Sequence, residues 1–427
     1  MTAADAQRAI QAVWRIEQAR LVASLARMVR DVGLAEELAQ DALVAALERW
    51  PEDGIPEKPG AWLMATAKRR AIDLIRRKRL HASKEAELGR EIEAAQPSQS
   101  EAIEAALDDD IGDDRLGLLF AACHPVLATE ARVALTLRLL GGLTTEEIGR
   151  AFLTPATTVA QRIVRAKRGL AEARVPFEVP RGAERAARLS SVLEVLYLIF
   201  NEGYAATSGE RWMRPELSEE ALRLARILVG LAGEEPEVHG LVALMEIQAS
   251  RFAARSGPDG APILLPDQDR GRWDRLLIRR GLAALARAEA AGAARGEAPG
   301  PYALQAAIAA CHARTASPAA TDWPHIAKLY DALAERAPSP VVELNRGVAH
   351  AFAFGPAAGL ALVDALNEEP SLRDYHLLPA VRGDLLVRLG RHDEARGEFE
   401  RAAALTRNQR ERDLLLARAA TVRSGGS

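Results

Sequence analysis

Aromatic residues are only 4% of this 427-residue chain, cysteine occurs twice, and no apolar run is uninterrupted for the length of a bilayer. Each scarcity excludes something. Cys123 and Cys311 lie far apart, without a metal-ligand pattern, which fits a reducing cytoplasm and gives no reason to expect a metal or other cofactor. Without an apolar segment of spanning length, no membrane partner is expected. The N-terminus, MTAADAQRAIQAVWRIEQAR, has no basic segment followed by an apolar core, so no signal peptide is expected and the reading is of a cytoplasmic protein. Few aromatics and few β-branched runs, set against abundant Ala, Leu, Arg and Glu, argue for an all-α protein. The formal net charge of -3 says nothing about nucleic acid by itself; the distribution of charge does.

The most informative stretch is LTTEEIGRAFLTPATTVAQRIVRAKRGL, from Leu143 to Leu170. Thr144 or Thr145 can cap a short helix reaching Phe152, with Glu146 and Glu147 at its positive end. Pro155 disfavours helix at Thr154 and suits the first turn of a second helix, Ala156 to about Leu170. Two such helices and a tight turn make a helix-turn-helix. Val159, Ile163, Ala166 and Leu170 keep core spacing along the second helix. The opposite face carries Thr157, Thr158, Gln161, Arg162, Arg165 and Arg168. Its N-terminal members suit base edges, while Arg165, Lys167 and Arg168 suit phosphates. Taken alone, the stretch is also compatible with an ordinary hairpin bearing a solvated basic face.

A second basic block lies upstream. Two helices are expected over residues 8 to 50, separated at Asp31-Val32-Gly33. The second alternates an apolar face (Leu38, Ala42, Leu43, Ala46, Leu47, Trp50) with an acidic one (Glu36, Glu37, Asp41, Glu48). A Pro/Gly-rich connector, Pro51 to Gly60, leads to a helix from Ala61 to Arg79. Lys68, Arg69, Arg70, Arg76, Arg77, Lys78 and Arg79 stand there against a single acid, Asp73, a density that fits phosphate binding. Residues 86–111 invert the sign and read as an acidic linker.

In order and spacing, AEELAQDALVAALERW, PGAWLMATAKRRAIDLIRRKR and the helix-turn-helix resemble the ECF-type sigma factors of bacterial RNA polymerase. FAACHPVLATEARVALTLRLLGG and VLYLIFNEGYAATSG extend the likeness to the subgroup with a long TPR-like C-terminal extension. Residues 1–85 resemble the sigma-two domain and 112–178 the sigma-four domain. One departure is Ala122, where a second cysteine of a CCHP run is expected; it weakens any metal or redox role for Cys123 and His124. The resemblance implies core RNA polymerase and promoter DNA as partners. It implies that Glu37, Gln40 and Asp41 dock on the polymerase, that the Lys68–Arg79 helix contacts the downstream promoter element as it melts, and that the connector over 52–59 captures unstacked bases. Trp62 could join that capture, though its place in the apolar stripe favours a core role. The resemblance also implies that Thr158, Gln161 and Arg162 read the upstream element. Nothing in it implies catalysis.

Residues 179–298 read as a helical middle domain. Asn201, Glu202 and Tyr204, and Asp269 with Arg270, could line a small-molecule pocket or could make turn and interhelix hydrogen bonds. No nucleophile–base pair or metal spacing accompanies them, so an enzyme is not expected. Residues 299–427 turn repetitive. Val342–Leu372 and Leu377–Asn408 align at a period of roughly thirty-six, near the TPR length. Gly347, Gly355 and Gly359 mark the first repeat, and Gly383, Leu386, Gly390, Ala395, Phe399 and Ala402 the second. Such a surface could fold back on the sigma domains and regulate them in cis. The alternative is a helix-turn-helix regulator that senses a ligand or peptide and does not bind polymerase core.

Overall fold

The computed structural model describes residues 3–87, 111–152, 154–206, 208–209, 212–258 and 260–422, with only the backbone described for 78–87 among others. But for its ends, the expected acidic linker lies outside the described residues. The chain forms two compact units, Met1–Val195 and Leu196–Ser427. No described helix is long and apolar enough to cross a membrane.

In the first unit, α1 (Ala3–Val29), α2 (Val32–Asp53) and α3 (Pro59–Glu87) pack on one another. Asp31 caps α2, its Oδ1 accepting from the N–H groups of Gly33 at 2.8 Å and Leu34 at 3.1 Å. Leu21, Leu25, Ala35, Ala42 and Ala46 fill the α1–α2 seam. Two expectations for α2 are corrected: Glu36 is buried and Leu47 is 40% exposed. The helix also runs through Pro51, whose missing N–H frees only the carbonyl of the 40%-exposed Leu47, open to water, and it stops at Gly54, whose φ is +86°. Then α4 (Ile111–Ala122), α5 (Thr129–Leu139), α6 (Thr145–Ala151) and α7 (Ala156–Glu172) follow, with Val159, Ile163, Ala166 and Leu170 of α7 buried.

The first half of α8 (Gly182–Tyr204) completes this unit. Arg188 donates to the Phe120 carbonyl at 2.9 Å, and Ser191 Oγ donates to that of Cys123 at 2.6 Å. Both acceptors lie at the C-terminal end of α4, where carbonyls have no partner within the helix. The unit therefore extends past the expected boundary at 178.

The second unit contains the rest of α8, α9 (Pro215–Ala232), α10 (Pro236–Ala249), α11 (Arg275–Arg295) and α12 (Pro301–Ala313), then α13 (Trp323–Arg336), α14 (Pro340–Phe354), α15 (Pro356–Asp364), α16 (Leu377–Arg388), α17 (His392–Leu405) and α18 (Gln409–Val422). Leu241, Ala243, Met245 and Ile247 bury α10 between its neighbours. From α12 onward, helices pack successively as antiparallel hairpins. Gly359 lets α15 cross α14 closely, since a Cβ there would lie 2.5 Å from the Gly347 carbonyl oxygen. Gly383 likewise makes room for the Phe399 ring, which a Cβ would meet at 2.7 Å. Among the described residues the two short strands β1 (Ser208–Gly209) and β2 (Arg407–Asn408) pair in parallel, and a lone antiparallel bridge joins Ser256 to Pro262. The β1–β2 pair ties the loop after α8 to the last hairpin, and the fully buried Asn408 adds a bond from Nδ2 to the Ala206 carbonyl.

Candidate nucleic-acid interface

The helix-turn-helix is built as local chemistry dictates. Thr144 Oγ1 accepts from the Glu147 N–H at 3.1 Å, and Glu147 accepts from the Thr144 N–H at 2.8 Å, a reciprocal cap for α6. The turn closes with Thr154 N–H donating to the Gly149 carbonyl at 2.9 Å. Gly149 is needed there, because a Cβ would stand 2.7 Å from the Thr154 carbonyl oxygen. Pro155 sits at the N-cap of α7 rather than inside its first turn.

Burying Val159, Ile163, Ala166 and Leu170 turns Thr157, Gln161, Arg165 and Arg168 outward and leaves Thr158 and Arg162 half-buried. On α3, Arg69, Arg70, Arg76 and Arg77 are exposed and Lys68 is half-buried; the Arg79 side chain lies outside those described. Trp62 packs edge-on against Trp50, ring centroids 5.4 Å apart, at the α2–α3 contact. On α2, Glu37, Gln40 and Asp41 are exposed, and Asp41 pairs with Arg70 at 3.1 Å. One ion pair thus joins the expected polymerase face to the expected DNA face. Both partners are solvated, so it adds little stability.

One residue of the acidic face is used differently. Glu36 is 5% exposed, with Oε1 accepting from Arg138 of α5 at 2.9 Å and Oε2 from Lys167 of α7 at 2.5 Å. Arg138 also donates to the Leu143 carbonyl at 3.3 Å, just before the helix-turn-helix. Lys167, expected to meet phosphate, is therefore spent on Glu36. The partners come from 102 and 131 residues downstream, a distance no local pattern encodes.

Cys123 is buried at the α4–α5 corner, 3.4 Å from Thr136 Oγ1, and burial pushes its thiol up to about 12. Nδ1 of the adjacent His124 accepts from the Val126 N–H. Among the described residues no cluster of His, Cys, Asp and Glu suits a metal ion.

In the second unit the residues singled out from sequence separate. Glu202 is buried in an ion pair with Arg214. Asp269 is exposed and caps a turn through the Gly271 N–H at 2.8 Å. Asn201 lies by the hydroxyl of Tyr197. Tyr204 and Arg270 belong instead to a cluster with Arg251 and Arg255, two residues that sequence reading missed because arginines near a helix end ordinarily look solvated.

Three family models match the chain: Sigma-70 region 2 over 15–81, Sigma-70 region 4 over 118–170, and a family of unknown function, DUF6596, over 188–289. An uncharacterised protein of Rhizobium meliloti (strain 1021) is 43% identical across 91% of this chain and 90% of its own length. The probable ECF RNA polymerase sigma factor SigI of Mycobacterium tuberculosis is 31% identical over 40% of this chain and 57% of its own length. The ECF RNA polymerase sigma factor SigK of Mycobacterium ulcerans is 31% identical over 35% of this chain and 78% of its own. The crystal structure of yeast Tom70 aligns with a TM-score of 0.36 at 12% identity, over 99% of this chain and 86% of that one, a likeness too slight to bear on fold or function. With both sigma-70 regions present in order, on helices that form a three-helix module and a helix-turn-helix, the chain belongs to the ECF RNA polymerase sigma factors.

Proposed function

We propose that this sigma factor docks on core RNA polymerase through Glu37, Gln40 and Asp41 of α2. Lys68, Arg69, Arg70, Arg76, Arg77 and Arg79 of α3 hold the downstream promoter element as it melts. Thr157, Thr158, Gln161 and Arg162 of α7 read the upstream element, with Arg165 and Arg168 on phosphates. The arrangement of the first unit is then a closed one, in which Lys167 joins the phosphate contacts only after Glu36 releases it. The observation that carries this reading is Glu36 itself, a buried carboxylate beside the docking row that holds the recognition helix by its lysine.

The C-terminal extension acts in cis in this reading. Support comes from α8, whose first half belongs to the sigma-four side through Arg188 and Ser191 and whose second half begins the extension. A partner that moved α8 would pull directly on the end of α4.

Co-purification with bacterial core polymerase tests the docking face. Asp41→Arg, at a side chain 58% exposed, should lose most core binding while leaving the fold intact. Retained binding would remove Asp41 from the interface. A chain ending at Val195 keeps Arg188 and Ser191 and so tests control by the extension. Promoter-directed transcription identical to that of the full chain would rule out control in cis.

A further inference from the structure

The second unit contains a cationic cluster that the sigma reading does not use. Arg255 lies over the Trp212 ring at 4.4 Å and the Tyr204 ring at 3.4 Å. Arg251 lies 5.5 Å from the other partner of that set, the Tyr204 centroid, and 5.8 Å from Trp273; Arg270 lies 5.2 Å from Trp273. Rings and guanidiniums thus alternate along one ladder: Trp212, Arg255, Tyr204, Arg251, Trp273, Arg270. Arg255 and Arg270 are each 5% exposed, and Nε of Arg251 is closed to solvent without a hydrogen-bond partner.

Buried guanidiniums ordinarily face carboxylates. Here, among the described residues, none does. Arg270 is held by neutral acceptors, the carbonyls of His312 at 2.9 Å and Thr315 at 3.0 Å, and Thr321 Oγ1 at 3.1 Å. It serves as a pillar under Trp273. Arg251 donates to the Tyr204 hydroxyl and Arg255 to the Tyr204 carbonyl, and among the described residues most of their other donors meet no acceptor. Gln268, 6% exposed, has an unpartnered Oε1, and His312, 7% exposed, an unpartnered Nδ1. Among the described residues the acid that acts on Arg255 is Glu411, already engaged by Thr406 at 2.9 Å and His376 at 3.2 Å. Burial pulls Arg251 and Arg255 down to about 9, and at Arg251 the other two arginines add repulsion. Cation–π contacts orient such charges but leave them uncompensated.

We propose that Arg251 and Arg255, braced on Tyr204, form a receptor for a dianionic oxyanion, the phosphate monoester or sulfate group of a small molecule. Planar guanidinium forks suit such a group, and the surplus of positive charge favours a dianion over a monoanion. The β1–β2 tie and the Asn408 bond hold the loop that follows Tyr204 to the last hairpin, so filling the site would stiffen that connection.

Inorganic phosphate is the first probe, with the full chain and ionic strength matched by chloride. Hydrogen exchange should show saturable protection confined to 200–214 and 250–273, with a rise in melting temperature. Sulfate should compete and acetate should not. Arg251→Gln and Arg255→Gln should each weaken the response about tenfold or more. Arg223→Gln, an exposed arginine paired with Glu220 on α9, should leave it unchanged. No local protection in the wild-type chain overturns the proposal, and that result needs no variant to fold. An equal response to acetate, or an undiminished response in both folded variants, overturns it as well.

Discussion

Glu36→Gln is the most revealing single change. The substitution keeps the side chain's shape and removes the charge that Arg138 and Lys167 share. The side chain of Glu36 is 6% exposed, and those of its partners are 22% and 23% exposed. Breaking a fully buried pair by neutralising one member costs about 3–5 kcal/mol, because a charge is stranded. Here the two cations can rehydrate, so about 2 kcal/mol is the reasonable figure for the closed arrangement. That corresponds to roughly thirtyfold in an equilibrium constant. If the closed unit opposes promoter engagement, the variant holoenzyme should bind promoter DNA more tightly by up to that factor, while the first unit melts earlier. Fluorescence anisotropy with labelled promoter DNA and core polymerase measures the first effect, and thermal unfolding the second. Lys167→Met should also loosen the unit but gain less, since it sacrifices a phosphate contact. The double variant should show non-additivity that localises the interaction to this pair. A Glu36→Gln protein that melts early yet binds promoter no better than wild type would falsify the closed-state reading.

Two further outcomes follow from single sites. His312 titrates at about 4 in the folded chain against 6.5 for the free side chain, through burial first and then repulsion from Arg251 and Arg270. The unfolded chain takes up that proton first, so this contribution to stability is complete above pH 6.5 and is lost as pH falls toward 4. The loss amounts to at most about 1.4 kcal/mol per pH unit. His312→Gln should flatten the acid side of the melting-temperature profile, and a profile of unchanged slope refutes the assignment. Gly149→Ala should destabilise the helix-turn-helix by about 1–3 kcal/mol, because the new Cβ meets the Thr154 carbonyl oxygen at 2.7 Å. Denaturant unfolding and promoter affinity should fall together; a neutral result would mean that the turn can open without cost.

Sequence alone determined whatever depends on neighbours along the chain. The 3.6-residue spacing of Val159, Ile163, Ala166 and Leu170 fixed which side of α7 is core and so which residues face outward. Thr144 was one of two candidate caps for α6, and the glycines at 347, 359 and 383 stood out as repeat positions, which the structure uses for a reciprocal cap and for close packing. These are short-range rules of helix geometry, and the order of the basic helices and the turn was enough to suggest the family. Tertiary structure alone decided which charges are buried. Glu36 belongs to an acidic face by spacing, yet α5 and α7 close over it and convert a solvated carboxylate into a clamp. Arg251 and Arg255 follow a buried helix and look like its solvated end, until rings from 204, 212 and 273 fold around them. The β1–β2 pair joins segments almost two hundred residues apart through backbone groups, which carry no side-chain signature. A charge's meaning depends on the dielectric around it and on what else is buried there, and both are set only when distant helices meet.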